Sequence, residues 1–207
     1  MSSLMLDRAN RTVLYGKRRF DARNYGWVDT DLAVQGEPVD ARAALAWLAR
    51  EGGLRAIPVA VIGPRTASDR EVEVAEAVGR GVAELGLPLL TGGRTGVMEA
   101  ASRGAVTAGG LTIGFIPDED WRSANAYVTV PLATGIGPAR NVLIARAAAA
   151  LIAVGGEYGT LSEMAFGMQF GKPVFALCDA PFVREVIVCA DVEDCLERLA
   201  KSLLQLP

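Results

Sequence analysis

The sequence contains no histidine among its 207 residues and only three cysteines, Cys178, Cys189 and Cys195. Without histidine, any proton transfer must be carried out by carboxylates, lysine, tyrosine, cysteine or water. The cysteines show no C-x-x-C spacing, which excludes the usual zinc motifs. We therefore predict no metal site.

Long apolar runs and an excess of positive charge are also absent. No stretch reaches the roughly 18 uncharged apolar residues that a membrane span needs, and residues 1–11 are polar and charged. These features predict no membrane contact and no secretory leader, and we expect a cytoplasmic protein. The formal net charge is -3, so we expect no nucleic-acid partner, because such proteins carry a broad basic face.

The composition is that of a compact globule, with 51% hydrophobic residues and a mean hydropathy of +0.26. A chain of this length favours one core with decorations. Residues 1–54 are predicted to be an N-terminal decoration made of a hairpin and a helix, and not an independent domain. Residues 55–207 are predicted to form the nucleotide-binding domain.

The N-terminal segment has dense charges of both signs and several aromatic residues. Residues 12–15 and 25–28 are predicted to be strands, with a turn at residues 21–24, and residues 41–50 are predicted to be a helix. We interpret the segment as a lid or edge decoration. The alternative is a specificity cap in which Arg18 and Arg19 pair with phosphate and Trp27 stacks on a base.

From residue 57 onward, short apolar strands alternate with helices. The strands are predicted over residues 57–62, 87–90, 111–116, 127–130, 149–154, 174–177 and 185–188. The helices are predicted to begin near residues 68, 97, 141, 161 and 191. This order predicts an α/β fold, a doubly wound, mostly parallel sheet with helices on both faces. In such sheets, ligands bind beyond the carboxyl ends of the strands.

Three glycine-bearing turns follow three of these strands and each precedes a helix. Glycine lets the backbone approach a ligand closely, and a helix N-terminus offers free N–H groups to an anion. The turns therefore predict a phosphate site, although none matches the dinucleotide fingerprint or the P-loop. The candidate ligand-binding residues are Gly63, Arg65, Gly92, Gly93, Arg94, Thr95, Gly96, Gly155, Gly156, Gly159 and Thr160.

Arg140 and Glu163 are candidate site residues, and Glu163 has two interpretations. Thr160 and Glu163 have the spacing of a capping box, in which Glu163 reaches back to the start of its helix. The alternative is a catalytic carboxylate beside the phosphate site. Apolar residues then follow on more than one face of the helix, which favours packing against both the sheet and a second subunit.

The same stretches resemble a known family. Gly155–Glu163 is similar to the P-G-G-x-G-T-x-x-E signature of the LOG phosphoribohydrolases, a superfamily once named after lysine decarboxylases. Thr91–Met98 is similar to their G-G-G-S-x-G-L-M loop. In that family an arginine lies 23 positions before the signature glutamate, the interval between Arg140 and Glu163. The resemblance implies that both act catalytically on a nucleoside 5′-monophosphate.

The chain departs from this pattern at three positions: Val154 in place of the proline, Asn141 in place of a lysine, and Glu99 in place of a glycine. A sister group, the molybdenum cofactor carrier proteins and their bacterial relatives, is similar over residues 57–177. The similarity includes their T-G-G-R-x-x-G-V-M motif and, at Thr134–Asn141, their T-G-[IL]-G-x-A-R-[ND] motif. It adds Asn141 to the candidate ligand-binding residues.

The resemblance implies a Rossmann-like fold that binds a small phosphorylated ligand, with self-association as a homodimer or tetramer. The most concrete activity it implies is hydrolysis of the N-glycosidic bond of a nucleoside 5′-monophosphate. The alternative is a non-catalytic carrier or sensor of molybdenum cofactor or another phosphorylated ligand. No cofactor is required, although a nucleotide or molybdopterin would be bound. Lysine decarboxylation is excluded, because none of the three lysines has a setting suited to a Schiff base.

Overall fold

The structure is a computed structural model that describes residues 3–33 and 35–206. Residues 1–2, 34 and 207, which include the outer limits of both predicted segments, lie outside the described residues. The chain forms a seven-stranded parallel sheet flanked by helices and an N-terminal five-stranded antiparallel sheet. The predicted α/β fold class is confirmed.

The N-terminal sheet has the strand order β4-β3-β2-β1-β5. Its strands are β1 (Leu4–Asp7), β2 (Thr12–Tyr15), β3 (Arg18–Asp21), β4 (Gly26–Asp29) and β5 (Glu37–Val39), and helix α1 (Ala41–Arg50) follows. The predicted hairpin between residues 12–15 and 25–28 is wrong in its pairing, because β3 lies between β2 and β4 and pairs with both. Strands β1 and β5 are also additional. Strands β1, β3 and β5 have only three or four residues each, and β3 and β5 carry the charges and proline that lower strand propensity.

The N-terminal segment packs against the ends of α2 (Asp69–Glu84) and α6 (Val192–Leu203) that lie at the amino edge of the central sheet. Trp27 Nε1 donates to Leu204 O at 2.7 Å, and Arg50 donates to Glu84 O at 2.6 Å. Glu84 is the last residue of α2, and Leu204 directly follows α6. Both helices run from the carboxyl edge of the central sheet back to its amino edge. These contacts do not support the alternative of a specificity cap, and Trp27 packs against the region that follows α6.

The central sheet has the order β12-β11-β10-β6-β7-β8-β9, and all its neighbours pair in parallel. Its strands are β6 (Val59–Ile62), β7 (Leu89–Thr91), β8 (Thr112–Ile116), β9 (Val130–Ala133), β10 (Ala150–Val154), β11 (Val174–Leu177) and β12 (Ile187–Val188). The chain proceeds outward from β6 to β9 and then returns to β10 on the other side of β6. The switch point thus lies between β6 and β10, where ligands bind in such sheets.

Strand β9 begins at Val130, where the predicted strand over residues 127–130 ends. Tyr127 and Thr129 are held by side-chain bonds instead of ladder pairing. Thr112 Oγ1 donates to Tyr127 O at 2.5 Å, and Thr129 Oγ1 donates to Thr112 O at 2.8 Å. These threonine bonds keep the segment beside β8 without making it a strand.

Helices cover both faces of the central sheet. Helices α2, α3 (Val97–Thr107) and α6 share one buried cluster with α1 and the N-terminal sheet. Helices α4 (Asn141–Ala147) and α5 (Tyr158–Gln169) cover the other face. On α5, Met164 is fully buried, whereas Phe166 and Phe170 stack on each other with Arg146 over Phe170. A second subunit on this side remains a prediction.

Among the described helices, none combines the length and apolar character that crossing a bilayer requires.

Candidate ligand site

A cavity of about 500 Å³ opens at the carboxyl edge of the central sheet. Its walls come from the segments that follow β6, β7, β8 and β10 and from the start of α4. It therefore lies at the switch point between β6 and β10, the place that the strand order favours for a ligand. Its volume falls within the range of small-molecule sites.

Two glycines are required where the turns approach other groups. A Cβ at Gly92 would collide with the guanidinium of Arg140. Gly156 has a φ of +111°, and a Cβ there would collide with the Thr160 side chain. The glycines thus let the turns after β7 and β10 close around Arg140 and the first turn of α5, whose N–H groups have no intrahelical acceptor.

Arg140 and Glu163 form an ion pair in the wall of this cavity. Arg140 Nη1 donates to Glu163 Oε1 at 3.1 Å and also to Asn141 Oδ1. Both side chains are more than nine-tenths buried, and Arg140 Nε has no hydrogen-bond partner among the described residues. A buried N–H donor without a partner is costly, so the position of Arg140 in this wall is held at a cost in stability.

The protonation of this pair is shifted by its burial. Burial raises the pKa of Glu163 from 4.5 to about 7, although the guanidinium of Arg140 opposes the shift. Burial also lowers the pKa of Arg140, which Glu163 opposes and the positive charges of Arg65 and Arg94 reinforce. Arg65 and Arg94 thus lie close enough to act on the charge of Arg140, and Arg140 itself pairs with a carboxyl that is only partly ionised at neutral pH. The resulting excess of positive charge favours an anionic ligand.

The capping-box interpretation of Glu163 is wrong. Helix α5 begins at Tyr158, its N-cap is Glu157, and no side chain makes a capping hydrogen bond. Thr160 therefore lies within the first turn, buried and beside the cavity. Glu163, one turn further along, points its carboxylate at Arg140.

Asn141 ties the start of α4 to the first turn of α5. Its Nδ2 donates to Ser162 Oγ at 2.9 Å, and Ser162 Oγ donates to Gly159 O at 2.7 Å. The backbone of α5 at the cavity is thus held from both sides. Since Asn141 also accepts a bond from Arg140, it positions the guanidinium as well as the helix.

The remaining two arginines differ in their pairing. Arg65 is exposed, lines the cavity and has no side-chain partner among the described residues. Arg94 pairs with Asp118, which also accepts from Ser123 Oγ at 2.9 Å. Asn125 donates to Arg94 O at 2.9 Å. The segment after β8 is exposed, and these bonds connect it to the glycine turn after β7.

The predicted residues divide into those that line the cavity and those that do not. The lining residues are Gly63, Arg65, Gly92, Arg140, Asn141, Gly159, Thr160 and Glu163. The predicted residues that are not among the lining residues are Gly93, Arg94, Thr95, Gly96, Gly155 and Gly156. Sequence reasoning missed several lining residues: Ile62, Pro64, Thr66, Met98, Pro117, Pro138 and Glu157. Most are apolar or proline residues whose only signal is their place beside a glycine turn.

Glu157 is a further departure from the LOG signature, and counting along the signature also changes the position of its proline from Val154. Counted back from Glu163, the signature proline falls on Gly155 and its second glycine falls on Glu157. Glu157 is exposed, lines the cavity and has no side-chain partner among residues 3–33 and 35–206. A carboxylate thus stands beside the helix N-terminus, where an anion would otherwise bind alone.

We expect Glu157→Gln to increase the affinity for a phosphate monoester about twofold to tenfold, because it removes a like charge near the ligand. Isothermal titration at fixed ionic strength measures the change, with Glu119→Gln on the neighbouring loop as the control for net charge. Unchanged or lower affinity would show that Glu157 does not oppose the anion.

Metal-ligating side chains do not gather at the cavity. Over the described part of the chain, no group of three or more cysteine, aspartate or glutamate residues is placed to hold a metal ion. The cavity therefore offers arginine side chains and backbone N–H groups as its main ligand-binding elements.

Comparisons with known proteins agree with this architecture. An uncharacterized protein of Archaeoglobus fulgidus is 39% identical over 124 residues, which are 60% of this chain and 82% of that protein. The molybdenum cofactor binding protein of Rippkaea orientalis is 33% identical with a TM-score of 0.68, covering 72% of this chain and 98% of its own. The molybdenum cofactor carrier protein of Chlamydomonas reinhardtii is 34% identical with a TM-score of 0.67, covering 73% and 99%.

The sequence model of the SLOG cluster4 family matches residues 56–199. This match covers the whole central sheet and every residue that lines the cavity. The resemblance to the LOG superfamily and to the carrier proteins is thereby confirmed, and the protein belongs to the SLOG cluster4 family.

Proposed function

We propose that the protein binds a phosphorylated pterin-like or nucleotide-like ligand in this cavity and carries it without changing it chemically. The observation that supports the proposal is the cavity itself. Arg65, which has no side-chain partner among the described residues, Arg140 and the first turn of α5 all border an opening of about 500 Å³. Together they offer charge and N–H donors to a phosphate.

The choice of a carrier over an enzyme is supported by the comparisons. The two solved structures described above are proteins that bind or carry molybdenum cofactor. A pterin with a phosphate group matches the cavity, whose apolar walls at Ile62 and Met98 adjoin the polar side formed by Arg65 and Thr160. We therefore rank carriage above hydrolysis.

Arg65→Gln is expected to weaken the binding of molybdopterin and of guanosine 5′-monophosphate about tenfold, because it removes a charge-assisted hydrogen bond to phosphate. Isothermal titration measures both affinities. Arg70→Gln is the matched control, since Arg70 is also exposed and lies outside the cavity. Equal affinities for wild type and Arg65→Gln would reject a phosphate at this position.

Hydrolysis of the N-glycosidic bond is the second candidate, and the pKa of Glu163 supports it. A carboxyl with a pKa of about 7 exchanges its proton at neutral pH, as general acid–base catalysis requires. As the C1′–N bond breaks, the base leaves with the bonding electrons and the carboxylate stabilises the oxocarbenium-like charge that develops. The carboxylate then takes a proton from the water that attacks the anomeric carbon, and this proton passes to the departed base, which regenerates the carboxylate.

If hydrolysis occurs, Glu163→Gln should release free base from nucleoside 5′-monophosphates at least about 100-fold more slowly than wild type. Chromatography of the reaction mixture measures the release. Ligand affinity of the variant, determined in parallel, separates lost chemistry from lost binding. No release by wild type from any common monophosphate would reject hydrolysis and leave carriage as the function.

A further inference from the structure

A second concave surface lies in the N-terminal part of the chain, away from the cavity of the central sheet. It forms where the β1–β2 and β3–β4 turns meet the segment after α1, and its volume is about 420 Å³. We call it the arginine cleft. Its lining residues are Asn10, Arg11, Thr12, Arg19, Phe20, Asp21, Ala22, Arg23, Leu32, Gly52 and Gly53.

Three guanidinium groups line this cleft, and the charge of one of them, Arg19, acts on the carboxylate of Asp21. Arg11 donates to Glu51 O at 2.5 Å, which uses only part of its donor set. Arg19 and Arg23 form no side-chain hydrogen bond or ion pair with any described residue. Elsewhere in the chain, Arg8 and Arg103 each bind a carboxylate through two nitrogens. The cleft therefore collects positive charge without the usual partners.

Asp21 is the one carboxylate among the residues that line the cleft, and its oxygens are already engaged. Oδ1 accepts from the backbone N–H groups of Arg23 and Asn24, and Oδ2 accepts from Asn24 Nδ2 at 2.9 Å. These bonds, chiefly that of the Asn24 side chain, hold the pKa of Asp21 below its ordinary value. Asp21 thus serves to fix the β3–β4 turn, and three positive charges face one negative charge.

The cleft is held in shape by bonds that do not involve the two free guanidinium groups. Arg55 N donates to Ala22 O at 3.0 Å, and Tyr25 OH donates to Arg55 O at 2.7 Å. Gly53, with a φ of +74°, has open space where a side chain would stand. A ligand can therefore approach the backbone between the arginines.

We propose that the arginine cleft binds a small ligand through a phosphoryl group, independently of the cavity in the central sheet. The planar guanidinium fork matches phosphate oxygens in pairs, and the volume suits a ligand of nucleotide size. All its lining residues precede the segment that the family model matches. The site is thus an addition of this chain's N-terminal part and does not depend on the function of the family core.

Titration with inorganic pyrophosphate tests the proposal, because two separate anion sites should give two binding events per chain. Arg19→Gln combined with Arg23→Gln should weaken one event at least about tenfold and leave the other unchanged. Arg65→Gln should weaken only the other event. The matched control is Arg18→Gln, since Arg18 neighbours Arg19 on β3 but lies on the opposite face, over Trp27.

The proposal would be overturned if the double variant showed the same two binding events as wild type, with the same two affinities. A single event in wild type that only Arg65→Gln weakens would also overturn it, while supporting the proposed function of the central cavity. Circular dichroism and thermal melting establish that each variant is folded. If the double variant is not folded, Arg23→Gln alone is tested, because Arg23 lies on an exposed turn. The proposal is then overturned if Arg23→Gln leaves both affinities equal to those of wild type.

Discussion

Glu163→Ala is expected to lower the free energy of unfolding at pH 8 by about 3 to 5 kcal/mol, because the carboxyl is ionised at this pH and its removal leaves the buried guanidinium of Arg140 without a counter-ion. Arg140→Ala should cost less at pH 6, since the carboxyl left behind can take up a proton while a guanidinium cannot lose one. The structural basis of this asymmetry is the burial of both side chains beside a single shared bond.

The loss in Arg140→Ala should grow between pH 6 and pH 8. In wild type the pKa of Glu163 rises from 4.5 unfolded to about 7 folded, so the folded state binds more protons and stability falls as pH rises through this interval. Removing Arg140 takes away the charge that favours the carboxylate, which raises the pKa further and extends the loss above pH 7.

Urea unfolding at pH 6 and pH 8 measures these differences. The double variant Arg140→Met with Glu163→Leu is the control, because an apolar pair leaves no buried charge and should recover most of the lost stability. Equal losses for both single variants at both pH values would show that the pair is solvated and does not behave as a buried ion pair.

The affinity for a phosphate monoester should fall by up to about tenfold per pH unit above pH 7. A bound phosphate places negative charge near Glu163 and raises its pKa, so binding is coupled to the uptake of a proton. Without a ligand, the pKa of Glu163 is about 7. Above this pH the carboxyl is mostly ionised, so the proton that accompanies phosphate binding must be taken up from solution. The second ionisation of the phosphate, near pH 6, is complete in this range and does not contribute.

Titrations from pH 7 to pH 9, in buffers of different ionisation enthalpy, measure both the affinity and the protons taken up. Glu163→Gln is the control, because a neutral side chain of the same shape should give an affinity that no longer depends on pH. The idea fails if wild type and Glu163→Gln show the same slope, since the pH dependence would then arise elsewhere.

How much could be predicted from the sequence depends on the range of the interactions. The alternation of apolar strands and helices predicts the parallel sheet, because period and turn residues are local properties. Strands β1, β3 and β5 escape such reasoning, since they are short and are stabilised by pairing with neighbours. The same holds for Tyr127, which threonine side chains from the adjacent strand hold in place.

The site shows the same division. The spacing of Thr160 and Glu163 is compatible with a capping box, and only the position of Arg140 across the cavity decides that the carboxylate binds a guanidinium instead. The arginine cleft has no sequence signal either, because Arg11, Arg19 and Arg23 come from turns and strands that meet with Gly52 in three dimensions.

The sequence by itself determined the α/β fold class, the glycine turns at one edge of the sheet and the resemblance to the LOG and carrier proteins. These rest on the identity and spacing of neighbouring residues. Tertiary structure alone decided that Glu163 pairs with Arg140, that Arg94 pairs with Asp118 and that the N-terminal sheet does not line the central cavity. Side-chain partners and their desolvation depend on which distant segments the fold brings together, and no local pattern encodes that.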